Sequence, residues 1–343
     1  MLPLERMQAI AKGEIPDRVP FVPTIYEHAA ALIGVTPSAM ARSAELIVKG
    51  QLKAYELYGH DLVTVGVDIY NVEAEALGCT VAYNTEEPIV PAIVSHVLEE
   101  KSTLSRLSLP DPEKDGRMPL LLEAASRIKE TLGKEVLVGA AIVGPFTLAA
   151  LLRGYEALVL DLVMDPGFAG ELLDFTTEVS FVFGKAFIKR GVGLSINESW
   201  IAPPLLSPQL YAEYVYPRHT RLIERLKMAG APSIGLISGG NTTAIVDWLV
   251  RTGSSILVAD YGTDLATYKL KAQAANVILR GNIQATLLET GTEEEIAAQA
   301  REVLNLGAPG GRFILGCGVV PYHAVPEKIL FLKKIAEEYR WGN

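Results

Sequence analysis

Eight short runs of branched apolar residues recur along the chain, each followed by a longer stretch with apolar residues at i, i+3 and i+4. The runs are Val19–Val22, Leu62–Val65, Val136–Ile142, Gly193–Ile196, Ser233–Ile237, Ile256–Ala259, Val277–Arg280 and Arg312–Leu315. They are nearly continuous rather than alternating, as strands buried on both faces must be. Alternation of such strands with amphipathic helices marks repeated βα units on a parallel sheet. Eight units predict an α/β fold of the closed TIM (β/α)8 type.

The helical periodicity predicts helices over Ala39–Tyr58, Met118–Leu132, Pro166–Lys189, Pro208–Ala229, Thr243–Arg251, Leu265–Ala274, Thr292–Leu306 and Pro326–Tyr339. Thr292 with Glu295 fits a capping box, Asp165-Pro166 and Ser207-Pro208 place proline at a first helical position, and Asn241 suits a cap after the fifth strand. A helical segment around Leu4–Lys12 precedes the barrel. Gly78–Gly116 is too long for a simple connection, and its Thr80–Tyr83 and Pro88–Val94 predict an inserted hairpin or lid after the second strand.

With 343 residues, 49% hydrophobic, the chain has material for a large core without disulfides, and one domain over residues 1–343 is expected. The net charge of −9, with no basic block, argues against nucleic acid as a partner. Met1–Pro16 lacks the apolar core of a secretory signal, and Val136–Leu152 is shorter than the roughly 20 residues of a membrane helix, so a cytoplasmic chain without membrane association is expected. Cys79 and Cys317, far apart in sequence, do not suggest a structural disulfide.

Catalytic groups of a TIM barrel stand at the C-terminal ends of its strands. The polar residues placed there are Tyr26, Glu27 and His28; Asp68, Asn71 and Glu73; Asn197 and Glu198; Ser238 and Asn241; Asp260; Asn282; and Cys317 with His323. Carboxylates, a thiol and imidazoles on one rim suit either a metal site or acid–base chemistry. Asp68 and Glu73 are equally readable as caps of the following helix. Glu198 interrupts an apolar strand ahead of a Pro-Pro loop, and Cys317 lies between glycines that let backbone approach a ligand. Gly239-Gly240-Asn241-Thr242 suits an anion cradle. Gly144-Pro145-Phe146-Thr147 suits a ligand wall or packing. His60, His96 and His219 read as surface or helix histidines.

At these residues the chain resembles the uroporphyrinogen decarboxylase superfamily, which also contains corrinoid-dependent methyltransferases. The resemblance rests on Arg18-Val19-Pro20, Asp68 with Glu73-Ala74-Glu75-Ala76-Leu77-Gly78, Gly144-Pro145-Phe146-Thr147-Leu148-Ala149, Leu206-Ser207-Pro208, Gly239-Gly240-Asn241-Thr242, Gly281-Asn282-Ile283 and Phe313–Pro321. True decarboxylases carry tetrapyrrole-binding arginines after the first strand, where this chain has Pro23–Ala29 with Glu27. The zinc enzymes that methylate coenzyme M use a His-x-Cys pair, which falls on Ile237 and Gly239 here, and a last cysteine, which Cys317 matches.

The resemblance therefore implies the remaining branch, substrate:corrinoid methyltransferases such as the O-demethylases of anaerobic bacteria. The expected reaction moves a methyl group from a methoxylated aromatic or a methylamine to the Co(I) corrinoid of a partner protein. On this reading Glu198 and Cys317, with Asp260, hold a zinc ion or position a proton donor such as His323, and Glu213 is a weaker candidate. Tyr26, His28, Asp68, Asn71, Phe146, Asn241 and Asn282 shape the substrate pocket, and Gly78–Gly116 covers it or docks the corrinoid protein. The alternatives are a metal-free lyase for a smaller acid and a barrel that binds without turnover.

Overall fold

The structure, a computed structural model, describes residues 1–341 apart from Val67 and Ile69. Its strands are β1 (Phe21–Thr24), β2 (Leu62–Val65), β3 (Thr80–Ala82), β4 (Ala92–Ser95), β5 (Leu137–Val143), β6 (Gly193–Glu198), β7 (Ile234–Ser238), β8 (Ile256–Ala259), β9 (Ile278–Ile283) and β10 (Phe313–Val319). Eight of them pair in parallel in the order β1-β10-β9-β8-β7-β6-β5-β2, while β3 and β4 form the expected antiparallel hairpin. This is a TIM barrel, with helices packed around a nearly closed sheet.

The seam lies between β1 and β2, which share no ladder. Asp61, fully buried just before β2, closes it by donating its N–H to the Phe21 carbonyl (2.9 Å) and accepting the Phe21 N–H on Oδ2 (2.7 Å). Arg6 and Arg18 neutralise that carboxylate at 2.5 and 2.8 Å. A buried charge is tolerable only when paired in this way.

The long periodic stretches form helices with a few informative breaks. Ser43 accepts the Leu46 N–H and starts a new helix at Ala44, so the predicted Ala39–Tyr58 divides into Pro37–Met40 and Ala44–Tyr58. The predicted Pro208–Ala229 opens with a short turn and a π-helical segment at Tyr211–Val215 before regular helix resumes over Tyr216–Met228. Pro217 lacks the N–H that would continue the α-helical ladder through this point. Asn241 does cap, accepting the Thr243 N–H at 3.1 Å, but it leads only into a 3-10 turn at Thr243–Ile245 and a single helical turn at Val246–Leu249.

The barrel floor is plugged and the space above it is hollow. Val22, Leu62, Leu137, Ile256, Ile278 and Ile314 meet at the N-terminal ends of the strands, and the N-terminal helix Pro3–Lys12 packs Met7 and Ile10 against them. Burying side chains of this size contributes about 1.5–3 kcal/mol each. TIM-barrel interiors are commonly filled by layers of bulky branched residues. Here the next positions toward the C-terminal ends include Thr64, Gly139, Gly193 and Gly235, which leave the centre open.

Candidate active site

The hollow is a cavity of about 150 Å³, a space for a small molecule, reaching from this floor to the C-terminal ends of the strands at Tyr70, Gly239 and Val319. Its walls are largely apolar with a few polar groups, the usual make-up of a small-molecule site. Three expected substrate or catalytic residues lie on it: Tyr26, Asp260 and Asn282. Asp260 accepts the Gly240 N–H on Oδ2 (3.1 Å) and the Asn282 amide on Oδ1 (3.2 Å). The backbone donor expected to cradle an anion in the Gly239-Gly240 loop is thus turned onto Asp260.

Arg280, read from sequence only as a strand end, sits in mid-strand and projects onto the cavity. Its Nε donates to Asn282 Oδ1 (3.0 Å), and its Nη2 to Thr24 Oγ1 and the Cys317 carbonyl, each at 2.5 Å. Burial pushes the guanidinium down from its ordinary value. A Cβ at Gly316 would lie 2.2 Å from Nε, so the absence of a side chain there makes the recess that Arg280 occupies.

The tyrosine hydroxyls are kept protonated by their surroundings. Burial raises Tyr26 well above the usual phenol range, and burial also raises Tyr70. Ser195 and Asn197 line the same cavity, and among the described residues neither Ser195 Oγ nor Asn197 Nδ2 makes a hydrogen bond.

The other expected residues lie off the cavity. Glu198, 1% exposed, accepts the Phe146 and Thr147 N–H groups (3.1 and 2.8 Å), the Thr147 hydroxyl (2.6 Å) and His219 Nε2 (2.8 Å). It acts as the remote cap of the helix Pro145–Arg153, satisfying the donors at a positive helix end. Gly144 is needed for that approach, because a Cβ there would lie 2.3 Å from Glu198 Oε1. His219 is fully buried, not a surface residue, and with Nε2 donating to Glu198 its Nδ1 faces the Tyr211 hydroxyl at 3.2 Å. The π-helical segment beginning at Tyr211 sets the register of this contact, consistent with the association of such segments with special sites.

Cys317 is buried in the hydrophobic core, its thiol pushed up to about 11 by burial, and it meets Arg280 through its backbone oxygen. His323 is exposed, its ring 5.0 Å from that of Tyr322. His28 is buried behind the rim, bonded to the Tyr58 hydroxyl at 2.7 Å, and burial lowers its pKa. Asp68 pairs with Arg117 at 2.7 Å and accepts the Asn71 N–H, while the Asn71 amide reaches the Pro91 carbonyl at 2.7 Å. These two residues tie the inserted hairpin to the barrel. Phe146 is fully buried, and Asn241 is exposed on its capping turn. Among the described residues no group of three or more His, Cys, Asp or Glu side chains is placed to hold a metal ion. With the Glu198 oxygens already engaged and the Cys317 thiol held protonated, these donors do not fit a zinc site.

A TIM barrel with a small cavity at its strand ends defines an enzyme scaffold of broad use. The chain belongs to the uroporphyrinogen decarboxylase (URO-D) family, whose pattern matches residues 2–339. It is 26% identical over 327 residues to the methylcobamide:CoM methyltransferase MtbA of Methanosarcina acetivorans, covering 93% of each chain. It is 27% identical over 326 residues to the MtbA of Methanosarcina mazei, again covering 93% of each. The uroporphyrinogen decarboxylase of Syntrophotalea carbinolica is 27% identical over 303 residues, covering 85% of this chain and 84% of the relative. A solved methyltransferase from Methanosarcina mazei superposes with a TM-score of 0.87 at 23% identity, covering 98% of this chain and 99% of that one, which supports the same fold.

Proposed function

We propose that the chain is a corrinoid-dependent methyltransferase that takes a methyl group from a small methylated substrate, a methoxylated aromatic or a methylamine, and passes it to a Co(I) corrinoid carried by a partner protein. The observation that carries this reading is similarity to methylcobamide methyltransferases along 93% of both chains. The positions of the missing His-x-Cys pair support the direction of transfer. Ile237 and Gly239 line the cavity and offer no ligand with which to activate a thiol acceptor.

The reduced corrinoid supplies the nucleophile. With Met7 and Ile10 behind the floor, access to the cavity is from the strands' C-terminal end, so a partner has to present the cofactor there. For an ether donor the carbon–oxygen bond breaks, the methyl carbon bonds to cobalt, and the departing oxygen carries developing negative charge. Tyr26 and Tyr70, held protonated, supply hydrogen-bond donors to that oxygen in a site largely closed to water.

The test is incubation of purified protein with reduced corrinoid, free and protein-bound, and a panel of methylated donors, following cobalt by its absorbance. Methylation of cobalt with at least one donor supports the reading. The second reading is a lyase for a small acid, favoured by Arg280 on the cavity; carbon dioxide release without corrinoid supports it instead.

A further inference from the structure

We infer that Arg280 anchors a carboxylate, so that the small substrate of this cavity is a methylated monocarboxylate and not a neutral or cationic methyl donor; that the acid is methylated rests on the proposed methyltransferase function. Arg6, Arg117 and Arg280 are the buried arginines among the described residues. Arg6 pairs with Asp17 and Asp61, and Arg117 with Asp68 and Glu75. Arg280 alone of the three has no carboxylate within 4.0 Å among the described residues. Its Nε and Nη2 rest on neutral oxygens, and its Nη1 makes no hydrogen bond among those residues.

Leaving a cation buried without a counter-charge is costly, and elsewhere this chain avoids it. The exception faces a cavity, and the fold has made room for it by leaving Gly316 bare. A bound carboxylate supplies the missing charge through the two N–H groups of Nη1. A second, independent observation points the same way. Asn197, 2% exposed on the β6 wall, presents an unpartnered amide donor to the same cavity, so the ligand must bring acceptors.

The geometry also limits the anion to a single charge. One guanidinium nitrogen is free, and Asp260, whose carboxylate is held by Asn282 and Gly240, is the acid on the cavity wall and repels a dianion. A cationic methylamine without a carboxylate would have to sit beside Arg280. A zwitterion with its carboxylate on Arg280 and its cationic end toward Asp260 remains within the class.

Calorimetric titration of the purified chain tests this with no corrinoid present. The probes are acetate, N,N-dimethylglycine, benzoate and 3-methoxybenzoate, each against its neutral primary amide. At least one acid is expected to bind, with its amide weaker by roughly tenfold or more, and Arg280→Gln is expected to abolish that preference while Arg280→Lys keeps part of it. Equal affinity for acid and amide, no binding of any acid, or an undiminished preference in folded Arg280→Gln overturns the inference. If Arg280→Gln does not fold, the acid-against-amide comparison on the unaltered chain decides. Acid binding with no cobalt methylation would retain the anchor and count against the methyltransferase; methylation of neutral donors alone would do the reverse.

Discussion

Arg280 lies across the bare face of Gly316, so close that a Cβ on the glycine would come within 2.2 Å of Nε. The two residues sit on neighbouring strands, β9 and β10, and neither makes sense without the other. Gly316→Ala should therefore push the guanidinium from its recess and weaken binding of the preferred carboxylate by roughly tenfold or more, without any change of charge. Calorimetry on the folded variant checks this. Undiminished affinity would mean that the recess is not what places the anchor.

Glu198 and His219 form the second relationship on which the site wall depends. Glu198→Ala removes the acceptor of four donors, all of them buried, and should lower the free energy of unfolding by about 3 kcal/mol. Glu198→Gln keeps one oxygen acceptor and should cost clearly less. Urea denaturation of the two variants measures both. The zinc content of the purified protein should be the same before and after either change, because the carboxylate is a helix cap here.

His60 gives a pH signature in stability. Burial lowers its pKa to about 3, and its Nδ1 has no partner among the described residues. Between this value and the ordinary one near 6.5 the unfolded chain binds the extra proton, so stability rises with pH and is lost as pH falls through that window. The slope from this one group is at most about 1.4 kcal/mol per pH unit. His60→Gln should flatten the pH dependence of urea midpoints between about pH 6.5 and the acid limit of folding. An identical slope in both proteins would contradict the assignment.

Tyr26 is the phenol best placed to serve the departing oxygen, since it lines the cavity and burial keeps its proton on. Tyr26→Phe should lower kcat by roughly a hundredfold while leaving KM within a few-fold, because the lost hydrogen bond matters mainly as charge develops. A change confined to KM would make Tyr26 a binding group only.

The barrel itself was legible because two-sided burial makes each strand a nearly continuous apolar run. Leu62–Val65, Ile256–Ala259, Met118–Leu132 and Leu265–Ala274 match their predicted limits, and the Thr292–Glu295 capping box is present. The site was harder to read, because polar residues near strand ends do not all face one rim. Glu198 and Cys317 belong to strands longer than their apolar runs suggest, so each falls inside β6 or β10, where facing is set by alternation. Ile278, Arg280 and Asn282 show what that alternation carries: a floor residue, then two polar residues on the cavity, two positions apart on β9. Extending the seventh run past Arg280 would have exposed an arginine inside a buried strand, which demands either a partner or a ligand. His219 was hidden for another reason, since helical spacing alone does not reveal that a π-helical segment turns it toward Glu198.

The most direct measurement is the rate of cobalt methylation by the purified chain with reduced corrinoid protein and 3-methoxybenzoate or N,N-dimethylglycine, set against the matching amides. The account predicts methylation with at least one acid, little with its amide, and loss of that difference in Arg280→Gln. No methylation from any acid or amide, with carbon dioxide released from a small acid in the absence of corrinoid, would contradict it and make the chain a lyase.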